Sequence, residues 1–498
     1  MHRVLRVLLL AAVVCAMVGL VVATATDEER TAGAMQPSAA PSRSPSLLQR
    51  AHLSNRASHA SVQKSKRAGT ALSAFYHSTR ELYDEIKKLG ETCPHLAVSW
   101  EAATGAGTKN AHKSLMAVRV NLGGTPKPER ALFIFGEHAR ELISSETGLE
   151  FMRRLCDPAQ RQTKFLDVES TVADILATTE FLIYPNANPS GRRITERGNY
   201  CNRVNDRGVD LNRNWGEHWS SASQHPDTYP GTKAWSEAEV LILARAATSF
   251  KPTIFISIHS GSLHMLSPFA FKAGIGGEPA ASVSAIDPPG LAVHASAPAV
   301  DTQGGQGLKP VISMLHQVNK DFCQCAVGAA GKELGYLSPG TCLDYIYNRL
   351  GTRYSFALEI FEGSRFANGK GAALIESDVS AAAAAHAKPD SDFFAAQSAH
   401  LSSLPSYPLP LSDSDDASHV SLLEHGVAVN DGDIPDRGVL FPRARRGNPS
   451  KCLAGFNPTT KDMYEATVDH WSRALLAFVE KIQKSRAAAA AAVEANTE

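Results

Sequence analysis

The 498-residue chain has no excess of either charge, because 50 lysines and arginines match 50 aspartates and glutamates. No global field therefore recruits nucleic acid or an anionic membrane. Cysteine is scarce, eight in all, and its spacings are not those of a metal-binding cluster. Cys323 and Cys325 sit one residue apart, too close for the usual zinc spacing. An Asn-x-Ser/Thr sequon occurs only where proline follows the asparagine, so N-glycosylation is not expected. Long apolar runs are also missing, apart from Val7 to Val22 behind the basic start MHRVLR. That run is short for a membrane span and ends at Ala23-Thr24-Ala25, a small-x-small cleavage site. Residues 1–25 read as a signal peptide and imply secretion, with an uncleaved signal anchor as the alternative. Export allows disulfides. Loss of Cys15 with the signal leaves seven cysteines: Cys93, Cys156, Cys201, Cys323, Cys325, Cys342 and Cys452. An odd number keeps at least one free or paired between chains, and no connectivity follows.

Residues 26–70 are rich in Ser, Ala, Arg and Pro and read as a disordered spacer or short propeptide. Within them Lys64-Ser65-Lys66-Arg67 is either a processing site or a solvated basic patch. Order is expected from about Ala71. Ser78-x-x-Glu81 is a capping box leading into Leu82, Ile86 and Leu89 at helical spacing. Ala131–Phe135 is an apolar run of the kind buried on both faces of a sheet, and Ser145–Leu155 reads as the helix after it. Phe181–Tyr184, Lys251–His259 and Arg353–Phe361 read as further buried strands with helical stretches between them. The pattern predicts an α/β fold with a mixed, largely parallel twisted sheet and helices on both faces. Low-complexity insertions are expected at about 268–310 and 364–450. A final helix over Asn457–Gln483 carries the stripe Tyr464, Val468, Trp471, Leu475, Phe478 and Ile482, and an Ala-rich disordered tail is expected over 486–498.

The chemistry gathers at strand ends. Gly136 lets the first buried strand turn, and His138 and Glu141 follow it. Residues three apart share a face only in a helical turn, so the pair can act together if the chain coils there. An imidazole and a carboxylate so placed supply two ligands of a catalytic zinc, and His259 at the end of another strand supplies a third. An exposed-helix His-x-x-Glu and a structural strand-end histidine are the plain alternatives for each alone. Glu359 stands inside the apolar RYSFALEIF, where an unpaired carboxylate would cost several kcal/mol. It reads as a general base taking a proton from water, or as an ion-paired strand-edge residue. Residues 201–215, CNRVNDRGVDLNRNW, hold three arginines and four asparagines. They form either a solvated basic loop or a clamp for an anionic substrate terminus.

Taken together, these residues resemble the zinc metallocarboxypeptidases of the carboxypeptidase A type, over about Ala71 to Gly363 and the last helix. His138-Ala139-Arg140-Glu141 is similar to that family's zinc motif, and His259-Ser260 to its third-ligand motif. Asn188-Pro189-Ser190-Gly191 and Asp210-Leu211-Asn212-Arg213-Asn214-Trp215 follow in the family's order. The resemblance implies a catalytic domain over 71–485 with a sheet of about eight strands and one zinc per chain. It also implies hydrolysis of C-terminal peptide bonds, with Glu359 as general base. Arg203 takes the place of the arginine that polarises the scissile carbonyl, with Arg207 as competitor. Asn212 and Arg213 would hold the terminal carboxylate, Tyr336 would close over it, and Arg140 would join the substrate-binding residues. Asp210 would orient a zinc histidine. Leu343, with Ala357, would line the pocket for the departing side chain and favour apolar residues over Lys or Arg.

Three departures are visible. The segment before Tyr336 is shorter than in the digestive enzymes, and the cysteine that pairs downstream of the Asn-Arg block is absent. The region before Ala71 is too short and polar for a globular prodomain, so the precursor is expected to be active already. Expected partners are peptide or protein C-termini, with no nucleic acid, no cofactor beyond zinc and a monomeric chain. A zinc amidohydrolase would typically lack the Asn-Arg-Asn-Trp block, and a non-catalytic relative would usually have lost a ligand or the glutamate.

Overall fold

The computed structural model describes residues 73–103, 113–158, 170–223, 225–273, 287–288, 291, 308–364 and 448–495. The expected signal peptide and spacer, and most of both insertions, lie outside the described residues. Eight strands among those described form one sheet: β1 (Leu96–Ala102), β2 (Ser114–Val120), β3 (Glu129–Phe135), β4 (Thr179–Tyr184), β5 (Ile254–His259), β6 (Leu263–Ser267), β7 (Ala326–Ala329) and β8 (Tyr354–Ile360). Their order is β1-β2-β4-β3-β5-β8-β6-β7. The centre is parallel, with β4, β3, β5 and β8 side by side, and antiparallel pairs flank it. This is the mixed α/β sheet that the apolar runs imply.

Helices cover both faces, as expected. β3 alternates strictly: Ala131, Phe133 and Phe135 face one core, and Leu132 and Ile134 the other. The first core is closed by α1 (Thr79–Thr92), α2 (Leu142–Cys156), α6 (Lys309–Phe322) and α10 (Lys461–Ala495). The second is closed by α5 (Ala238–Phe250) and α8 (Cys342–Leu350). Between α2 and α5 lie the short helices α3 (Val172–Thr178) and α4 (Pro189–Glu196), and α7 (Ala330–Glu333) follows β7. α1 starts where the capping box places it: the Ser78 and Glu81 side chains each accept from the other's backbone N–H. Val468, Trp471, Leu475, Phe478 and Ile482 of the expected stripe are buried, each stabilising by about 1.5–3 kcal/mol.

The boundaries differ in three places. The tail expected to be disordered from 486 continues α10 to Ala495, because alanine has the highest helix propensity and extends a helix already nucleated. The first insertion begins later than Pro268, since Phe269, Ala270 and Phe271 are buried. A short helix, α9 (Pro449–Phe456), precedes α10. Disulfides join Cys93 to Cys156, Cys201 to Cys452 and Cys323 to Cys325, and buried Cys342 is free. The odd cysteine is thus accounted for.

Candidate active site

Three buried ligand atoms meet beyond the ends of β3 and β5. β3 stops because Gly136 adopts φ +65°, and a side chain there would lie 2.5 Å from Ser145 Oγ. The chain then coils, with the Glu141 N–H donating to His138 O at 3.2 Å. His138 and Glu141 therefore face one way, as their spacing required. His138 Nδ1 lies 2.8 Å from Glu141 Oε1 and 3.1 Å from His259 Nδ1. His259 Nδ1 is 3.1 Å from Glu141 Oε2. Two ring nitrogens and the two oxygens of one carboxylate are thus gathered around a single point. Atoms bound about 2.1 Å from a tetrahedral ion lie about 3.4 Å apart, close to these separations. Two imidazoles and a carboxylate are also the donor set of an open catalytic zinc site, so the residues present fit zinc.

Each histidine is backed on its far side. His138 Nε2 faces Asp210 Oδ1 at 3.3 Å, and His259 Nε2 lies 2.7 Å from Ser257 Oγ. Burial alone would raise the Asp210 carboxyl, but Arg203 and Arg213 hold it well below the usual range. Burial likewise opposes ionisation of Glu141, and the two histidines outweigh it.

Register places the base candidate. Glu359 is the β8 partner of His259 on β5, so the carboxylate stands beside the third ligand. Burial, then the charge of Glu141, pushes its carboxyl up to about 7, while His259, Arg203 and Arg140 pull the other way. Arg203 Nε donates to Asp210 Oδ2 at 2.8 Å, and its NH1 is 3.8 Å from Glu141 Oε1. Arg207 instead pairs with Glu237 at 3.4 Å, so of the two arginines only Arg203 reaches the ligand cluster. The Ala139 N–H donates to Arg203 O at 2.9 Å and ties that loop to the His138 turn.

The Asn–Arg block forms a short 3-10 turn, Leu211–Arg213, capped by Asp210 accepting from the Asn212 N–H at 3.0 Å. Arg213 NH2 donates to Ser338 Oγ at 2.9 Å, and Asn212 Oδ1 accepts from the Cys342 N–H at 3.0 Å. These bonds bind the block to the segment carrying Tyr336 and Leu343. Gly340 of that segment lies against Arg213 O, where a side chain would approach to 2.5 Å. Tyr336 is 46% exposed in the loop ahead of α8. Arg140 stacks over the Phe456 ring at 4.1 Å and pairs with Asp227 at 3.3 Å. Leu343 and Ala357 are buried with Leu266, Ala270 and Ala330 in a small apolar cluster separate from both main cores. Beneath it, Asp344 accepts from the Ala270 and Phe271 N–H groups at 3.0 Å and fixes that wall.

Two residues at the site were not anticipated. Glu137, buried, accepts from Trp215 Nε1 at 3.3 Å and lies 3.5 Å from Ser257 Oγ. The available signal was a charged residue directly after a buried strand, in GEHARE. Ser257 was legible as the only polar residue in the apolar IFISI before His259.

A family model described as zinc carboxypeptidase matches residues 83–380, well over half of the chain. The chain belongs to the zinc carboxypeptidase family. It is 27% identical over 226 residues to zinc carboxypeptidase A 1 of Drosophila melanogaster, covering 42% of this chain and 50% of that one. With human carboxypeptidase A1 it shares 26% over 307 residues, 59% of this chain and 64% of the relative. The matches thus span between half and two thirds of those relatives. Among solved structures, thrombin-activatable fibrinolysis inhibitor is 22% identical, with 63% of this chain and 78% of that one covered at a TM-score of 0.44. The family's zinc dependence agrees with the donor set that His138, Glu141 and His259 present.

Proposed function

We propose that this zinc carboxypeptidase is an exported, monomeric exopeptidase that removes single residues from peptide or protein C-termini, apolar ones fastest. The observation that carries the reading is the convergence of His138, Glu141 and His259 with Glu359 in register beside the third of them. When bound by those three residues, one zinc per chain supplies a Lewis acid for the scissile carbonyl and an acidified water.

The chain's own residues do the rest. Glu359, with a carboxyl raised by burial, takes a proton from the attacking water and delivers it to the leaving amine. Arg203 is held by Asp210 with its guanidinium near the ligand cluster, and it stabilises charge developing on the carbonyl oxygen. Asn212 and Arg213 bind the terminal carboxylate, Arg213 by a planar fork suited to it. Exposed Tyr336 closes over the bound terminus, and Arg140 contacts the peptide upstream. The apolar wall of Leu343 and Ala357 receives the departing side chain. Export is supported by the apolar run at Val7–Val22 and by three disulfides.

The test is hydrolysis of blocked dipeptides by the purified full chain, with and without a chelator. Release of the C-terminal residue that stops on chelation and returns with zinc is expected. Turnover unaffected by chelation, in protein that elemental analysis finds free of zinc, would overturn the reading.

A further inference from the structure

The two metal-site histidines are backed in different ways. Behind His138 stands one carboxylate, Asp210, with Arg203 attached to it. Behind His259 stands a chain. With Nδ1 turned to the ligand cluster, His259 Nε2 carries the ring proton and donates to Ser257 Oγ at 2.7 Å. The Ser257 hydroxyl donates in turn toward Glu137 Oε2 at 3.5 Å, and that oxygen lies 3.7 Å from His259 Nε2 itself. Glu137 also accepts from Trp215 Nε1 at 3.3 Å and from the Cys342 thiol at 3.6 Å.

We propose that Glu137 is a positioning residue for the metal site, fixing the ring of His259 through Ser257 as Asp210 fixes that of His138. Three observations carry it. First, Glu137 is 1% exposed, yet among the described residues no lysine or arginine pairs with it, and the His259 ring is its one basic neighbour. A buried carboxylate without a cation is costly, so its place here is explained by the positive charge that an ion-bound imidazole would bring. Second, donors face both of its oxygens, Trp215 on Oε1 and Ser257 and Cys342 on Oε2, which orients the carboxylate. Third, Ser257 and His259 are two apart in β5 and share a face, so the strand itself aligns the hydroxyl with the ring. Groups behind ligating histidines fix tautomer and ring orientation, and their loss typically costs about 10–100-fold in metal affinity.

This inference rests on the reading of His138, Glu141 and His259 as a zinc site, and the experiment separates the two. Zinc dissociation constants are measured on the full chain by competition with a chromophoric chelator. The proteins are the wild type, Glu137→Gln, Ser257→Ala, the double variant, and Glu129→Gln as a buried carboxylate at the opposite end of β3. Glutamine keeps the volume at 137 and removes the charge. Expected are a dissociation constant raised about 10–100-fold in Glu137→Gln and a rise in Ser257→Ala. The double variant should stay near the larger single effect rather than reach the product of the two, and Glu129→Gln should stay within about twofold. The cobalt(II)-substituted Glu137→Gln protein should also show a shifted visible absorption spectrum, since the ring is released from one orientation. Zinc bound by the wild type with Glu137→Gln unchanged would overturn the inference alone. A wild type that binds no zinc overturns the metal reading and this inference with it. If Glu137→Gln does not fold, Ser257→Ala decides, and wild-type affinity there sinks the relay.

Discussion

Two clusters of buried charge lie within two turns of each other at the start of α2, and only one has the donor set of a metal site. Glu146 is buried and fully met: Arg192 NH2 donates to it at 2.8 Å, the Tyr464 hydroxyl at 2.9 Å, and His77 Nδ1 lies 2.7 Å away. Arg192 is equally well used, donating also to Leu142 O, His77 O and Glu196. Five residues before Glu146, Glu141 faces two histidines whose ring nitrogens also face each other. Burial of charge is therefore not what marks the site. The first cluster compensates itself and joins the chain's entry, α2, α4 and α10. The second turns two ring nitrogens and a carboxylate on one point, and that is the donor set of a cation site.

The comparison breaks most visibly at His138. His138→Ala should abolish zinc uptake and hydrolysis together, measured by elemental analysis and the dipeptide assay, while the zinc-free fold persists. The opposite split is expected at the other cluster. Glu146→Gln removes one of the two carboxylates paired with buried Arg192, Glu196 being the other, and breaking such a buried pair costs up to about 3–5 kcal/mol. Denaturant titration should show that loss, with zinc content and turnover of the folded fraction unchanged. A Glu146 variant that lost zinc instead would dissolve the distinction between the two clusters.

Beside the cluster of His138, Glu141 and His259, Glu359 is the residue at which binding and turnover should separate. Glu359→Gln should keep zinc and fold yet lose turnover by roughly a hundredfold or more, the scale of a missing general base. Near-normal rates would remove it from the mechanism. A smaller effect concerns the pocket. The wall of Leu343, Ala357 and Leu266 offers no counter-charge to a lysine or arginine side chain. Substrates ending in Phe should therefore exceed those ending in Arg by about tenfold or more in kcat/KM, a step of about 1.4 kcal/mol. Leu343→Asp should narrow or reverse the ratio. Faster removal of Arg by the wild type would mean that an acid reaches the pocket from elsewhere.

The same contrast shows what could be read in advance. The central strands were legible because burial on both faces demands unbroken apolar runs, as in Phe181–Tyr184 and Ile254–Ile258. The His138, Glu141 and His259 cluster was legible because its members follow such runs. β1 was not, since it lies at the sheet edge with Ala97, Ser99 and Trp100 open to solvent, and a half-exposed strand carries little apolar signal. Phe269 and Phe271 were hidden among glycines, alanines and prolines, and α9 by the low-complexity stretch before it. Glu137 was overlooked for a different reason. Its environment comes from Trp215, Ser257 and Cys342, residues about 80, 120 and 205 positions away, and no local pattern announces such a meeting. Glu146 was missed in the same way, since its partner Arg192 is 46 residues distant.

The smallest expected effect lies in the self-compensated cluster and concerns pH. The hydrogen bond to Glu146 raises the His77 pKa above its ordinary value, burial opposes it, the charge of Glu146 adds to the rise, and Arg153 and Arg192 work against it. A histidine whose folded pKa is raised binds its proton more tightly in the folded state. Its ionic contribution is thus fully present below the unfolded value of about 6.5 and is lost as pH rises through the folded value. His77 is partly exposed, so solvent screens the pair and the contribution should be about 0.5 kcal/mol. Denaturation midpoints of wild type and His77→Gln at pH 5.5 and at pH 9 make the test, the glutamine retaining a donor toward Glu146. Zinc loss at the lower pH affects both proteins alike and cancels in their difference. The wild type should be the more stable of the two at pH 5.5, with the gap closing at pH 9. A gap that widens with pH would mean that neutral His77 is the favoured partner, and that Arg192 alone balances Glu146.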